Sequence, residues 1–197
     1  MNDLVLVIDT SSAASGLALI EGSLVHAELK AESGRGFDTA AAVTALLAGR
    51  ARDLRGVAVA LGPGSFTGVR SGISFGVGLA RGLEVPLYGL GTLELLAARA
   101  AQPVTAVSEA GRGRVYYLAA DGSRGLAAAV EVPGDRPLVG WLRPATEQLL
   151  REAGRRQLAE DGLISFGAAA ASLVARAEPV SYGRVRPIYM SSFGGLD

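Results

Sequence analysis

The first thirty residues alternate between short apolar runs and small polar turns. Residues 4–9 (LVLVID) form an apolar run rich in β-branched side chains that ends on an acid, which is typical of a buried strand. Residues 16–20 and 24–29 have the pattern of two further strands, and the turns between the three runs are short. Short turns between successive strands predict antiparallel hairpins.

Helical and extended patterns alternate over the rest of the first hundred residues. The predicted elements are a helix at 39–48, a strand at 56–61, a helix at 67–83, a strand opening at 85–87 and a helix at 93–101. Asp38 or Thr39 is placed to cap the first helix, and Thr92 to cap the third. Three hairpin strands followed by helix-connected strands predict a mixed α/β sheet with helices on its faces.

A second unit with a similar order of elements begins near residue 104. It comprises predicted strands at 104–107, 114–119 and 126–132, followed by helices at 144–153 and 163–177. We therefore predict two lobes, residues 1–102 and a reduced second lobe at 103–197, with a turn-rich tail that can pack back on the first lobe. The repeat is visible in the order of elements and not in residue identity.

The composition excludes several kinds of chemistry. The 197 residues include no cysteine, one histidine (His26), and 19 basic against 19 acidic side chains. The absence of cysteine excludes cysteine catalysis, disulfides and cysteine zinc sites. A chain without net charge also lacks the excess of basic residues that is typical of a nucleic-acid binder. Charged residues make up only 19% of the chain, against about 25% in ordinary domains. We therefore expect a partner to cover part of the surface.

No segment has the uninterrupted apolar length of a membrane span, and the N-terminus lacks the basic start of a signal peptide. A cytoplasmic protein that does not contact membranes is therefore expected.

The densest motif is the loop LGPGSFTGVR at residues 61–70, between a predicted strand and a predicted helix. Gly62 and Gly64 permit unusual backbone angles, and Ser65 and Thr67 offer capping oxygens to the helix start. Such a junction can bind an anion at the helix N-terminus, or it can be a tightly turned helix start without a ligand. It is not a P-loop, because no Lys-Ser/Thr pair follows the glycines.

The helix after this loop is unusually rich in glycine. Gly68, Gly72 and Gly76 recur every four residues, with Gly78 close by. Four glycines inside a helix cost about 3–4 kcal/mol relative to alanine, so a close packing contact must offset them. Either the protein's own sheet or a second polypeptide can make that contact, and the scarcity of surface charge favours the second polypeptide.

Few polar residues have a pattern that indicates catalysis. Asp9 ends the first strand, where it can hold a magnesium ion or a phosphate, or simply cap the next turn. Glu109 follows a later strand and is a candidate to pair with Asp9. His26 lies inside a predicted strand, which indicates a structural role. We assign no catalytic residue and no metal ligand from the sequence.

Several of these segments together resemble the TsaB (YeaZ) family. They are GPGSFTGVR at 62–70, IDTS at 8–11 and GLGTL at 89–93, with RPIYM at 186–190 similar to the segment near that family's end. The resemblance covers residues 4–120 well and the remainder loosely. It implies a two-lobe fold of the actin, sugar-kinase and Hsp70 class, which is ribonuclease H-like.

The resemblance also implies a role in forming threonylcarbamoyladenosine at position 37 of tRNA. In that role the chain is a non-catalytic subunit that binds and activates a TsaD-like transferase, with a TsaE-like ATPase, and meets tRNA only through the complex. It needs no cofactor of its own, since ATP and magnesium belong to the partner subunits, and a homodimer is the other possible assembly. The implied partner interface is Phe66, Thr67, Gly68, Val69, Arg70, Gly72, Ile73 and Gly76. The implied remnant of an ancestral phosphate site is Asp9, Thr10, Ser11, Gly62, Gly64 and Ser65.

Two segments depart from the family's pattern. The stretch before the first helix reads RGFD at 35–38 and lacks the usual histidine, and the second lobe reads EAG at 109–111 where Asp-Ala-Arg is usual. Two enzymatic alternatives remain open. One is a nucleotide-dependent phosphotransferase or hydrolase using Asp9 and the glycine loop. It requires a Gly-Gly turn before a helix to bind adenosine, and no predicted helix follows the only such pair, Gly194-Gly195. The other is a peptidase with Ser65 as nucleophile and His26 as base.

Overall fold

The computed structural model describes residues 3–34 and 36–190, and Gly194-Gly195 lies outside this part of the chain. The strands are β1 (Leu4–Asp9), β2 (Ala14–Glu21), β3 (Leu24–Glu32), β4 (Gly56–Ala60), β5 (Leu87–Leu90), β6 (Thr105–Gly111), β7 (Arg114–Leu118), β8 (Arg124–Ala128) and β9 (Leu138–Val139). The helices are α1 (Thr39–Leu47), α2 (Phe66–Leu83), α3 (Thr92–Ala97), α4 (Pro144–Glu152) and α5 (Phe166–Val174).

The first sheet has the strand order β3-β2-β1-β4-β5. Strand β1 lies at its centre, antiparallel to β2 and parallel to β4. Its side chains are buried on both faces because alternate residues enter two different cores. Leu6 and Ile8 pack with α1 and α2, whereas Val5 and Val7 pack on the opposite face, towards α3 and α5.

The second sheet repeats this arrangement with the order β8-β7-β6-β9. Strand β6 is antiparallel to β7 and parallel to β9, as β1 is to β2 and β4. The predicted mixed α/β fold with two helix-flanked sheets is thereby confirmed. Strand β9 was not predicted, because two residues are too few to carry a periodic pattern.

Two C-terminal segments of the chain lie on the first sheet. Helix α5 packs on β2 and β3, where the amide of Gly167 donates to Glu28 Oε2 at 2.8 Å. Further on, the amide of Val180 donates to the Leu87 carbonyl at 2.8 Å, and that of Ile188 to the Leu61 carbonyl at 2.7 Å. The alanine-rich α5 has side chains small enough to lie close to the sheet.

The start of α3 differs from the prediction. Its N-cap is Gly91, and Thr92 is the first helical residue, so the expected Thr92 cap is wrong. The Thr92 hydroxyl instead lies 2.8 Å from Ser11 Oγ, because α3 starts beside the turn after β1. In the part of the chain that the structure describes, no helix combines the length and apolar character needed to cross a bilayer.

Candidate functional site

The start of α2 is built by the glycine loop that precedes it. Gly62 has a φ of +95°, and the Gly62–Pro63 peptide bond is cis. Ser65 is the N-cap, and its hydroxyl accepts a hydrogen bond from the Gly68 amide at 3.3 Å. Of the two capping candidates in the motif, Ser65 therefore serves the helix, and Thr67 lies exposed in its first turn.

The turn after β1 packs directly against this loop. The Ser65 amide donates to the Ser11 carbonyl at 2.7 Å, and Thr10 Oγ1 donates to the Gly68 carbonyl at 2.7 Å. A β-carbon on Gly64 or Gly68 would overlap the carbonyl oxygen of Ser11 or Thr10, respectively. This backbone contact therefore explains the glycines of the motif. The turn and the loop touch directly at this point.

Asp9 is enclosed beneath the turn. Its Oδ1 accepts hydrogen bonds from the Ser11 amide at 2.8 Å and the Ser11 hydroxyl at 2.6 Å, while Oδ2 has no hydrogen-bond partner among the residues that the structure describes. Complete burial raises the pKa of the Asp9 carboxyl, and the hydrogen bonds from Ser11 oppose that shift only in part. Since Asp9 has no exposed surface, its carboxyl group reaches no ligand in this conformation.

A cleft of about 390 Å³ lies where the turn after β1, the start of α2 and the second sheet meet. Its polar lining consists largely of hydroxyl groups, contributed by Thr10, Ser12, Ser15, Ser33, Thr39, Ser65, Thr67 and Ser71. Glu109 and Arg143 close it from the side of the second sheet, where the Arg143 amide donates to Glu109 Oε1 at 2.8 Å. Asp9 is fully buried and does not line the cleft, so the structure does not support the candidate pairing of Asp9 with Glu109.

The glycine face of α2 is covered by the protein's own sheet. A β-carbon on Gly72 would lie 2.5 Å from Thr10 Oγ1, and one on Gly76 would overlap Val59 Cγ1. Val69 and Ile73 are buried on the same face. The expectation that a second polypeptide covers Gly68, Val69, Gly72, Ile73 and Gly76 is therefore wrong, because close packing of α2 on β1 and β4 already fills this space.

The opposite face of α2 is exposed. Of the predicted interface residues, Phe66, Thr67 and Arg70 lie on it. It continues through Gly78 and Gly82, where an added β-carbon would meet no atom of the described residues within 4 Å. We call Ser74, Phe75, Gly78, Leu79, Gly82 and Leu83 the outer α2 patch; they line an open depression of about 450 Å³. The four-residue spacing of Gly78 and Gly82 marks this exposed face in the sequence. The longer repeat at residues 68, 72 and 76 instead indicated the opposite face as the interface.

The residues required for a peptidase do not meet. The Ser65 hydroxyl caps α2, whereas His26 Nε2 lies 2.7 Å from Glu21 Oε2 in the β2–β3 hairpin. Each group thus has a local structural partner, as predicted for His26. Over residues 3–34 and 36–190, no three His, Asp or Glu side chains are grouped as metal ligands.

A charged cluster that the sequence did not reveal joins β3 to the segments that follow α3, β9 and α4. Glu160 Oε1 accepts hydrogen bonds from Arg99 Nη2 at 2.6 Å and Trp141 Nε1 at 3.4 Å, and lies 3.0 Å from Lys30 Nζ. The charged groups of Lys30 and Arg99 each lie 5.2 Å from the Trp141 ring centroid. Burial opposes ionisation of Glu160, but the hydrogen bonds and positive charges of Arg99 and Lys30 outweigh it and lower its pKa.

The known proteins that are similar to this chain in sequence have related names. A family model described as TsaD, tRNA N6-adenosine threonylcarbamoyltransferase, matches residues 40–132. The tRNA threonylcarbamoyladenosine biosynthesis protein TsaB of Bacillus subtilis is 33% identical over 152 residues, which cover 73% of this chain and 66% of that protein. The Escherichia coli TsaB is 34% identical over 122 residues, covering 57% of this chain and 53% of that protein. The aligned part of this chain thus spans between half and two thirds of these curated relatives.

Solved structures support the same fold. YeaZ from Pseudomonas aeruginosa has a TM-score of 0.68 at 22% identity, covering 95% of this chain and 100% of the other. A protein described as uncharacterized with similarity to peptidase YeaZ from Pseudomonas aeruginosa has a TM-score of 0.73 at 24% identity, with 96% and 100% coverage. The glycine loop, the two repeated sheets and these relatives agree, and the chain belongs to the TsaB (YeaZ) family.

Proposed function

We propose that this chain is a non-catalytic subunit in the synthesis of threonylcarbamoyladenosine in tRNA, and that it docks on a TsaD-like transferase through the exposed face of α2. The names of the curated relatives support the pathway. The observation that carries the docking role is the outer α2 patch, an apolar surface opened by Gly78 and Gly82 on a helix whose other face is fully packed.

The surface around this patch suits a protein partner. Helix α1 contains no charged residue, and α2 contains only Arg70 and Arg81. The two helices pack beside each other on the same face of the first sheet. Small side chains and glycines allow a partner's helix to approach closely and bury apolar area without removing charges from water.

The arrangement of polar groups supports a role without chemistry of its own. Asp9 is enclosed, Ser65 caps a helix, and His26 pairs with Glu21. In this proposal ATP and magnesium act on the partner subunits, a TsaE-like ATPase joins the assembly, and tRNA is met only through the complex. In the absence of the transferase, a second copy of the chain is the alternative occupant of the patch.

The test is co-expression with the TsaD-like protein of the same organism, followed by size-exclusion chromatography with light scattering. We expect a single co-eluting complex. Gly78→Gln and Gly82→Gln should disrupt it without unfolding the chain, because both positions open to solvent. Gly162→Gln is the matched control, since Gly162 is also open but lies outside α2. Unchanged co-elution of the Gly78→Gln variant would move the interface elsewhere.

A second candidate function is a nucleotide-dependent phosphotransferase or hydrolase. The observation in its favour is the hydroxyl-lined cleft at the start of α2, since an 18-residue helix directs its N-terminus towards it. Calorimetry of the isolated chain with ATP and magnesium distinguishes the two functions. Saturable micromolar binding would favour this enzyme, whereas the docking role predicts no such binding.

A further inference from the structure

Arg70 is held in place by two exposed aromatic residues at the start of α2. Its guanidinium carbon lies 3.7 Å from the Phe66 ring centroid and 5.9 Å from that of Tyr189. Its Nε donates to the Tyr189 hydroxyl at 3.0 Å, and the two rings are 6.2 Å apart. Stacking and hydrogen bonding together restrict a side chain that is otherwise flexible.

The aromatic residues that hold Arg70 are themselves unusually exposed. Phe66 is 58% and Tyr189 is 57% exposed, and the neighbouring Ile188 is 37% exposed. Arginine with aromatic residues is the composition enriched at the centres of protein interfaces. The cluster therefore has the character of an interface anchor that nothing in residues 3–34 and 36–190 covers.

The terminal nitrogens of Arg70 are available to bind a ligand. The only hydrogen bond that its guanidinium makes within the described part of the chain uses Nε, and no described carboxylate lies within 4.0 Å of it. The Nη1 and Nη2 edge of a guanidinium fits the two oxygens of a carboxylate. Because the group is already oriented, such a pair loses less side-chain entropy on forming.

The position of Arg70 indicates where the carboxylate comes from. Arg70, Ser74, Gly78 and Gly82 follow one another at four-residue steps, so Arg70 lies at the N-terminal end of the outer α2 patch. A nucleic acid would need a series of cations along its backbone, but this patch is uncharged and the chain has no net charge. An acidic side chain on a protein seated along α2 meets Arg70 without that requirement.

We propose that Arg70 is the docking point for an acidic side chain of the protein that covers the outer α2 patch. This inference rests on the proposed docking function and adds the chemistry of the partner's contact. Phe66 and Tyr189 act as positioning residues, because they hold the guanidinium ready for the carboxylate.

Affinity for the TsaD-like partner tests this contact, measured by calorimetry at low and high salt. We expect Arg70→Gln to weaken binding about 10- to 100-fold, as for the loss of a hydrogen bond between charged groups. The affinity of Arg70→Lys should lie between those of the wild type and Arg70→Gln, because lysine keeps the positive charge but lacks the planar guanidinium. Binding by the Arg70→Gln variant should also depend less steeply on salt than wild-type binding.

Arg176→Gln is the matched control. Arg176 is also exposed and donates its Nε to one oxygen, the Ser172 carbonyl at 3.0 Å, but it follows α5 on the opposite face of the first sheet. We expect wild-type affinity from this variant. Thermal unfolding of each variant checks that the fold is retained, and Arg70→Glu combined with an acid-to-arginine change in the partner should restore binding.

The outcomes separate this inference from the proposed function. Unchanged affinity of Arg70→Gln for the partner overturns the Arg70 contact and leaves the docking role intact. Absence of any wild-type complex overturns both. If Arg70→Gln reduces tRNA binding by the isolated chain and leaves partner affinity unchanged, the cluster binds a nucleic-acid phosphate and the inference is wrong.

Discussion

Gly72 of α2 faces the side chain of Thr10 so closely that a β-carbon at position 72 would lie 2.5 Å from Thr10 Oγ1. The Thr10 hydroxyl also donates to the carbonyl of Gly68, one turn earlier in the helix. The glycines on this face are thus a consequence of how α2 lies against the turn after β1. A bulky residue at position 72 is therefore expected to disturb the fold itself.

Alanine substitutions on the two faces of α2 should have opposite effects on stability. Gly72→Ala and Gly76→Ala should each lower the free energy of unfolding by about 1–3 kcal/mol, because the added methyl overlaps Thr10 or Val59. Gly78→Ala and Gly82→Ala should raise it by about 0.5–1 kcal/mol, since alanine favours the helix and meets open space. Urea unfolding of the four variants measures this, and equal effects on both faces would contradict the close packing of α2 on Thr10 and Val59.

Substitution of Gly16 should change the environment of the only tryptophan. A β-carbon on Gly16 would lie 2.9 Å from Trp141 Cη2 and 3.1 Å from Phe166 Cε1. Gly16→Ala should therefore displace the indole from its contacts with Phe166, Lys30 and Arg99, and shift its fluorescence. A wild-type emission spectrum from this variant would mean that the indole accommodates the methyl without moving. Gly78→Ala serves as the spectral control, because position 78 is open and α2 packs on the opposite face of the first sheet from Trp141.

Asp9 should make the protein less stable as the pH rises. Burial raises the folded-state pKa of Asp9 above the unfolded value near 3.8, so the folded state retains its proton over a range where the unfolded chain has lost it. The stability that this group contributes is fully present below the unfolded pKa and is lost as the pH rises through the folded pKa.

Asp9→Asn is neutral at every pH and should lack this dependence. The difference in urea midpoint between wild type and variant should therefore change in favour of the variant as the pH increases from about 4. Titrations of all other groups cancel in that difference. A difference that stays constant across the series would show that the Asp9 pKa is the same in the folded and unfolded chains.

Glu160 should have the opposite effect on the pH dependence of stability. Burial alone would raise its pKa, but the hydrogen bonds and charges of Arg99 and Lys30 lower it below the ordinary value of 4.5. Its stabilising contribution is present above that unfolded pKa and is lost as the pH falls through the lower folded pKa. The wild type should therefore lose stability on acidification more steeply than a Glu160→Gln variant.

At neutral pH, Glu160→Gln should lower the free energy of unfolding by about 1–2 kcal/mol. The figure lies towards the low end for charged hydrogen bonds because Glu160 is half exposed, while the buried Arg99 loses its counter-charge. Glu94→Gln, which removes the partner of the exposed Arg124, should cost no more than about 0.5 kcal/mol. Equal losses from the two variants would mean that the Arg99 contact is no stronger than a surface ion pair.

Local patterns were sufficient to predict most of the elements. The apolar run at 4–9, the second strand and the long helix after the glycine loop appear within two residues of their predicted positions, whereas β3 extends three residues beyond its predicted end. These features depend on periodicity and turn chemistry, which act over a few residues. The two-residue strand β9 and the start of α3 at Thr92 were not predicted, because tertiary contacts determine both.

The sequence by itself determined the fold class, the glycine loop and the absence of cysteine chemistry, since these follow from residue types and their spacing. Only the tertiary structure decided which face of α2 is free, because both faces carry glycines four residues apart and the contact with Thr10 and Val59 selects between them. It likewise decided that Asp9 is enclosed and that Arg70 meets Tyr189, 119 residues away. Such contacts depend on how distant segments pack, which no local pattern encodes.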